Sequence, residues 1–379
     1  MTLEERISSP GPKKLLALDG GGIRGVITLE VLARIEQILR DQSGRASLVL
    51  ADYFDYIAGT STGAIIAACL SKGMSVADIA KFYRESGPAM FSRAGMLKRF
   101  WYKFTDEDLA QKLQSVFGKD TTLGDPALKT LLMVVLRNAT TDSPWPLSNN
   151  PRAKYNDRKR DNCNLLIPLW QLVRASTAAP TYFPPEVVTI GKQDFVFVDG
   201  GVTMYNNPAF QLFLMATLEP YKLCWETGED KMLIVSTGTG TSPAPDAHLT
   251  AGDMHMLQAA TTIPSALMFA AQTEQDVLCR SFGKTLAGCA IDRELGDLKG
   301  TKGPAGRGLF TYVRYNAELT REGLDRLGLP QIQPEHVRKM DSVEFIAEMQ
   351  TVGRKIGEIE VKPEHFSAFP PAAAKGIAR

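Results

Sequence analysis

The sequence predicts an α/β protein with a three-layer α/β/α architecture and a mainly parallel central sheet. Short buried-strand patterns alternate with helix patterns along the 379 residues, which indicates parallel strands joined by right-handed crossovers. Hydrophobic residues make up 44% of the chain, enough for the large core that such a sheet needs. Glycine-bearing turns follow several predicted strands directly. They lie at the carboxyl edge of the sheet, where open parallel sheets bind their ligands.

Each predicted element follows from the spacing of its apolar residues. Strands are predicted where short apolar runs end in turn residues, at 14–18, 53–58, 131–136, 195–198 and 232–235. Helices are predicted where apolar residues recur at three- and four-residue spacing or small apolar residues form a run, at 26–39, 64–70, 76–86, 107–117, 254–280 and 342–357.

Composition and charge exclude several classes of protein. Lys and Arg total 43 against 42 Asp and Glu, so the excess of cations that a nucleic-acid coat protein needs is absent. The longest apolar run, Ala64 to Leu70, is too short to predict a membrane span. Five scattered cysteines without a CxxC pair argue against a zinc module, and no signal peptide is visible. We therefore expect a cytoplasmic protein with reduced thiols and no metal site.

The segment Gly59-Thr-Ser61-Thr-Gly63 has the G-x-S-x-G pattern of a nucleophile elbow. A predicted strand precedes it and a helix of small residues follows, which is the context that such an elbow requires. The flanking glycines allow neighbouring backbones to approach, and the helix N-terminus stabilises developing negative charge. Ser61 is therefore the predicted nucleophile.

The turn after the first strand, Asp19 to Gly25, fits the G-x-G-x-x-G pattern of a dinucleotide site. That interpretation needs an acidic residue about 20 positions further on, at the end of a second strand. Asp41 lies at the required distance along the chain, but at the end of a predicted helix rather than a strand. In addition, Asp19 would place a carboxylate beside the pyrophosphate. The pattern fits better as a nest of backbone N–H groups from Gly20, Gly21 and Gly22 that accepts an oxyanion, with positive charge from Arg24.

A third turn, Asp199-Gly200-Gly201, supplies a carboxylate at the same predicted edge as Ser61. A serine nucleophile needs an adjacent base, and a carboxylate within hydrogen-bond reach can act as one. The ordinary pKa of an aspartate is too low for this task, so burial would have to raise it. Asp199 is therefore the predicted base.

Together, the segments 19–25, 59–63 and 199–201 resemble the motifs of the patatin-like phospholipase family. Further similarity lies in Arg174–Pro184, Asn206–Pro208 and the turn that ends at Gly240. The resemblance implies lipid acyl hydrolysis by a Ser61–Asp199 dyad, with the glycines after Asp19 as the oxyanion hole and no metal or cofactor. It also implies a patatin-like catalytic domain, which we place over residues 1–330, with a helical extension and flexible tail over 331–379.

Two features bear on partners. Segment Met90–Phe104 interleaves basic and aromatic side chains without an acidic residue, a composition that suits peripheral contact with an anionic membrane. A core helix with a solvated basic edge explains it equally. Members of the resembled family also include effectors of bacterial antiphage systems that cyclic nucleotides switch on, so a cyclic-nucleotide activator is a hypothesis that no residue establishes. Nucleic acid is not an expected partner.

Two other function classes stay open at this stage. Asp199 followed by His248 or His255 has the chain order of an α/β-hydrolase triad, which would make the protein an esterase or thioesterase. Against that, Ser61 arrives after only two predicted strands, and both histidines lie outside strand-end turns. Alternatively, the glycine nest binds a nucleotide or another anion for regulation, without chemistry at Ser61.

Overall fold

The computed structural model describes residues 2–91, 105–180, 182–241 and 256–373. Nine strands of this part of the chain form one sheet, in the order β5-β6-β3-β2-β1-β7-β9-β8, with β4 also paired to β3. The strands are β1 (Lys13–Leu18), β2 (Tyr56–Thr60), β3 (Leu131–Asn138), β4 (Ser143–Ser148), β5 (Glu186–Ile190), β6 (Gln193–Asp199), β7 (Met232–Thr237), β8 (Lys284–Ala287) and β9 (Thr311–Tyr315).

Six strands run parallel to their neighbours and three run antiparallel. The parallel set is β1, β2, β3, β7, β8 and β9. Strands β4, β5 and β6 are the antiparallel ones. The predicted α/β fold with a mainly parallel sheet is thus confirmed.

Helices cover both faces of the sheet. Within the described residues they are α1 (Leu3–Ser8), α2 (Gly25–Ser43), α3 (Leu50–Tyr53), α4 (Thr62–Ser71), α5 (Val76–Phe91), α6 (Thr105–Phe117), α7 (Leu169–Ser176), α8 (Ala209–Thr217), α9 (Met256–Phe282), α10 (Arg321–Arg326), α11 (Pro334–Val337) and α12 (Ile346–Glu360). Two short 3₁₀ helices, Gly22–Arg24 and Gly200–Val202, lie at the carboxyl edge.

Successive side chains of the central strand β1 pack alternately into two separate hydrophobic cores. Leu16 and Leu18 of β1 pack into the larger cluster with α2 and α4, whereas Leu15 and Ala17 pack into the opposite cluster with α8. All four side chains are fully buried, because a central parallel strand is covered on both faces.

The C-terminal residues belong to the larger cluster. Helix α12 packs along α2, and Phe366 and Phe369 are buried beyond it. The Tyr53 hydroxyl donates a hydrogen bond to the Phe369 carbonyl at 2.7 Å. Within the described ranges, no helix combines the length and apolar character that crossing a membrane requires.

Several features of the structure differ from the sequence expectations. The second strand begins at Tyr56, because residues 50–53 form a helical turn instead. Strand β4 was not predicted because Pro144 and Pro146 interrupt its strand pattern. Strand β9 was not predicted because Arg314 interrupts a short apolar run. Strands β5 and β8 were also not predicted. Strand β6 was predicted as part of a parallel sheet, but it pairs antiparallel with β3.

Candidate active site

Ser61 occupies a strained turn between β2 and α4. Its backbone has φ 54° and ψ −123°, a region that L-residues rarely adopt and that costs energy to hold. Two glycines make the turn possible: a Cβ on Gly59 would collide with the Gly63 backbone, and one on Gly63 with the Leu18 backbone. The β2–turn–α4 segment therefore has the conformation of a nucleophile elbow.

The side chains of Ser61 and Asp199 are in direct contact. Ser61 Oγ donates a hydrogen bond to Asp199 Oδ2 at 2.6 Å, and the Gly201 N–H donates to Asp199 Oδ1 at 2.7 Å. Burial raises the pKa of the Asp199 carboxyl from 3.8 to about 6, although both hydrogen bonds act in the opposite direction. At neutral pH this carboxylate is ionised, yet it is a stronger base than an exposed aspartate.

Asp199 reaches Ser61 by a route that the sequence did not predict. Strand β6 descends antiparallel to β3, so that Asp199 stands opposite Leu136. Gly200 allows this approach, because a Cβ there would collide with the Val135 carbonyl. Ser61 and Asp199 therefore meet across β3, which lies between β2 and the antiparallel strand β6, rather than at the ends of parallel strands.

Ser176 supports the Ser61 backbone, and sequence analysis did not single it out as a site residue. Its Oγ accepts a hydrogen bond from the Ser61 N–H at 3.0 Å and donates one to the Val135 carbonyl at 2.6 Å. Ser176 is fully buried at the end of α7. The only sequence signal was its place within the 174–184 segment that carried the family resemblance.

The glycine turn, Gly20 to Gly22, lies beside Ser61. A Cβ placed on Gly20 would lie 3.2 Å from Ser61 Cβ. The Gly20 N–H already donates to the Asn206 carbonyl at 3.1 Å, whereas the N–H groups of Gly21 and Gly22 have no hydrogen-bond partner among the described residues. Two unpaired backbone donors therefore follow directly after the glycine that lies beside Ser61.

Arg24 follows the glycine turn and bonds backbone carbonyls. Its Nη1 donates to the Arg338 carbonyl at 3.2 Å, and its Nε lies 3.5 Å from the Gly21 carbonyl oxygen. These contacts connect the turn to the C-terminal segment. They fit a supporting role for this guanidinium better than direct contact with an oxyanion.

The described histidines bond residues outside the dyad. His336 stacks on Phe345 with ring centroids 3.8 Å apart, and the ring of His365 shares a 2.8 Å hydrogen bond with the Tyr315 hydroxyl. The two candidates for a triad, His248 and His255, lie outside the described residues. Of the predicted membrane segment, Met90 and Phe91 are buried, and residues 92–104 also lie outside the described part.

Comparison with known proteins places the three motifs in one family. A family model for patatin-like phospholipases matches residues 16–213. Patatin-17 of Solanum cardiophyllum is 30% identical over 254 residues, which cover 62% of this chain and 63% of that protein. A cGAMP-activated phospholipase of Vibrio cholerae is 31% identical over 211 residues, covering 52% of this chain and 56% of the relative. The matches thus span less than two thirds of either relative.

Among solved structures, VipD from Legionella pneumophila aligns with 90% of this chain and 67% of its own, at 15% identity and a TM-score of 0.37.

Proposed function

This chain belongs to the patatin-like phospholipase family, and we propose that it hydrolyses acyl esters of phospholipids through an acyl-serine intermediate. The observation that carries the proposal is the 2.6 Å hydrogen bond from Ser61 Oγ to a buried carboxylate with a pKa raised to about 6. The names of the relatives, patatins and cGAMP-activated phospholipases, support a lipid substrate.

Acylation begins when Ser61 Oγ attacks the ester carbonyl carbon and its proton passes to Asp199 Oδ2. The carbonyl oxygen becomes an oxyanion, which the N–H groups of Gly21 and Gly22 bind. Collapse of this intermediate breaks the bond to the alcohol, and Asp199 returns the proton to that leaving oxygen. A lysophospholipid or glycerol-containing alcohol leaves, and the acyl group stays on Ser61.

Deacylation repeats the sequence with water. Asp199 takes a proton from a water molecule as its oxygen attacks the acyl carbon, and the same two N–H groups bind the second oxyanion. The proton then returns to Ser61 Oγ as the fatty acid leaves. Every proton is accounted for by one serine, one carboxylate and one water.

The first test is replacement of the nucleophile. We expect Ser61→Ala to abolish hydrolysis of phospholipid and of a soluble short-chain ester, and a fluorophosphonate probe to label Ser61 alone. Ser115→Ala, an exposed serine of α6, is the matched control and should retain activity and labelling. Labelling at another residue, or activity in Ser61→Ala, would exclude the assignment.

A second test separates a dyad from a triad. A triad enzyme loses several orders of magnitude in rate without its imidazole, whereas a dyad enzyme does not need one. We expect each of four single alanine variants, at His248, His255, His336 and His365, to retain activity within about tenfold, since a dyad uses no imidazole as its base. Collapse of activity in a folded His248→Ala or His255→Ala variant would establish the triad instead.

The relatives' names also support activation by a cyclic nucleotide. Vibrio cholerae and Escherichia coli each provide a relative named a cGAMP-activated phospholipase. We propose the same regulation here. Mass spectrometry of mixed phospholipids incubated with the protein, with and without cGAMP, should show products that increase with the nucleotide. Equal product formation in both samples would contradict it.

Peripheral contact with lipid through Met90–Phe104 is proposed on its sequence alone. Replacement of Lys98, Arg99 and Lys103 by glutamate should weaken vesicle binding and the hydrolysis of vesicle phospholipids, most of all at low salt. Hydrolysis of a soluble ester should stay near the parent value. An equal loss on both substrates would indicate a structural segment instead.

A further inference from the structure

A buried ion pair anchors the residue that precedes the glycine turn. Asp19 is fully buried, and Arg314 donates to both of its carboxylate oxygens, from Nη1 at 2.8 Å and from Nη2 at 2.5 Å. Gln272 adds a third hydrogen bond at 3.2 Å. Such a two-point contact fixes the orientation of a carboxylate as well as its position.

Arg314 comes from β9, about a hundred residues beyond the segment that the family model matches. It reaches the turn because β9 pairs with β7, and β7 pairs with β1, whose last residue precedes Asp19. The Arg314 Nη1 also donates to Ser236 Oγ at 2.7 Å, and Ser236 lies 3.2 Å from Asn207 Oδ1. One guanidinium thus connects the glycine turn with the loop that follows Asp199.

The glycine turn needs external anchors because two of its three backbone donors are unpaired. The free N–H groups of Gly21 and Gly22 provide no internal hydrogen bond to hold them in place. The turn is instead held at its flanks: Thr239 donates to the Gly20 carbonyl at 2.8 Å, and the Ile23 N–H donates to the Met340 carbonyl at 3.0 Å. On the strand side, the Asp19 side chain is a further anchor, beside the hydrogen bonds from the Asp19 N–H to the Thr237 carbonyl and from the Gly20 N–H to the Asn206 carbonyl, both at 3.1 Å.

The positive charge on Arg314 keeps the Asp19 carboxylate bonded through both of its oxygens. Burial raises the pKa of Asp19, and the Arg314 guanidinium opposes that rise. A buried carboxylate that loses its cation partner takes up a proton or moves toward water. Either response would displace the backbone that carries the two free donors.

We propose that Arg314 is a positioning residue for the oxyanion hole, acting through Asp19 to hold the N–H groups of Gly21 and Gly22 in place. This inference rests on the proposed function, in which those two groups bind the oxyanion. Loss of one such donor lowers kcat by a factor of about 10²–10³ in a serine hydrolase. A displaced turn should therefore lower kcat and leave substrate binding nearly unchanged.

The test compares Arg314→Lys and Arg314→Gln with a matched control, Arg280→Lys. Arg280 is equally buried and makes an equivalent two-point contact with Asp276, but it bonds no residue of the glycine turn. We expect both Arg314 variants to lower kcat for a soluble ester at least tenfold, with KM within about threefold, and Lys to lose less than Gln. Arg280→Lys should lower thermal stability alone.

Asp19→Asn serves as the second arm in case the Arg314 variants are too unstable. If the pair acts as one unit, the double variant with Arg314→Gln should lose no more kcat than the worse single variant. Parent-like kcat in folded Arg314→Lys and Arg314→Gln, or multiplicative losses in the double variant, would overturn the inference.

Hydrogen exchange separates this inference from the proposed function. Amide exchange in the peptide Leu18–Gly25 should accelerate in Arg314→Lys and stay at the parent rate in Arg280→Lys. If the parent hydrolyses no ester, the proposed function fails, and exchange alone then decides whether Arg314 holds the turn. Unchanged exchange in Arg314→Lys would contradict the positioning role even in an active enzyme.

Discussion

At the scale of single residues, the pKa of Asp199 sets the pH at which the proposed chemistry begins. A protonated carboxyl cannot accept the Ser61 proton, so we expect kcat for a soluble ester to rise with pH through about 6 and then level off. Above that pH, where the parent carboxyl is ionised, Asp199→Asn should lower kcat by a factor of about 10³ or more. Asp194→Asn, an exposed aspartate on the same strand, should keep the parent profile. A rate that does not change between pH 5 and 8 would argue against this base.

The same shift predicts a change in stability, with a definite sign. The pKa of Asp199 in the folded protein lies above the ordinary value of 3.8. The protonated Asp199 carboxyl therefore contributes its full share to the free energy of unfolding below pH 3.8, and this share is lost as pH rises through about 6. Two pKa units correspond to about 3 kcal/mol. In urea unfolding, the free energy of unfolding of Asp199→Asn should therefore increase relative to that of the parent by up to about 3 kcal/mol between pH 4 and pH 7. A constant difference between the two proteins would contradict it.

Ser176 provides a further test of how the elbow is held. Ser176→Ala leaves the buried Ser61 N–H without a partner, at a cost of about 1–3 kcal/mol, and releases one restraint on a strained backbone. We expect kcat to fall about tenfold. Thr177→Ala is the matched control, because the Thr177 hydroxyl bonds the Arg174 carbonyl and does not contact Ser61. Equal kcat in the two variants would show that the elbow holds its shape unaided.

The sequence predicts the two residues of the proposed dyad better than the residues that support them. Ser61 and Asp199 lie in motifs with a local signature, a glycine-flanked turn after a strand, and the structure places them 2.6 Å apart. Ser176 and Arg314 have no such signature. Their roles depend on contacts with residues 115 and 295 positions away in the chain, which no local pattern encodes.

At the scale of elements, the predicted strands are those with continuous apolar runs. Residues 15–18 and 232–235 are fully covered on both faces, so their sequences are uniformly apolar and easy to recognise. The antiparallel strands β4 and β5 carry prolines or exposed residues on one face, and their patterns are weaker. The direction of β6 could not be predicted, because an alternating pattern does not report which neighbour a strand will pair with.

The contact between α2 and α12 depends on a glycine at the helix crossing. A Cβ on Gly353 would lie 2.7 Å from the Ile27 carbonyl oxygen and 2.8 Å from Glu30 Cβ. Gly353→Ala should therefore separate the helices and destabilise the protein by about 1–3 kcal/mol, more than the gain in helix propensity of about 1 kcal/mol.

Gly357→Ala, one turn further along α12, is the control for this substitution. The nearest atom to a Cβ there is the Arg34 Cβ at 3.1 Å, so a small adjustment suffices. We expect denaturant unfolding to give this variant a stability within about 1 kcal/mol of the parent. If both variants behave alike, close approach of the two backbones is not what Gly353 provides.

At the scale of the whole molecule, the segment that the family model matches supplies only part of the sheet. Residues 16–213 contain Ser61, Asp199 and the glycine turn, but β7, β8 and β9 come later in the chain. Strand β7 pairs with β1 along Lys13–Leu18, so without it the central strand of the sheet becomes an exposed apolar edge. Asp19 would also lose its ion-pair partner Arg314, which lies on β9.

We therefore expect a chain ending at residue 213 to fail to unfold cooperatively in a thermal melt and to leave Ser61 unlabelled by a fluorophosphonate. The control is a chain ending at Phe369, which retains the buried C-terminal aromatics and the hydrogen bond from Tyr53. It should melt within a few degrees of the full chain and label at the parent rate. Labelling of the 213-residue chain at the parent rate would show that the later strands are dispensable, and it would also remove the basis for a positioning role of Arg314.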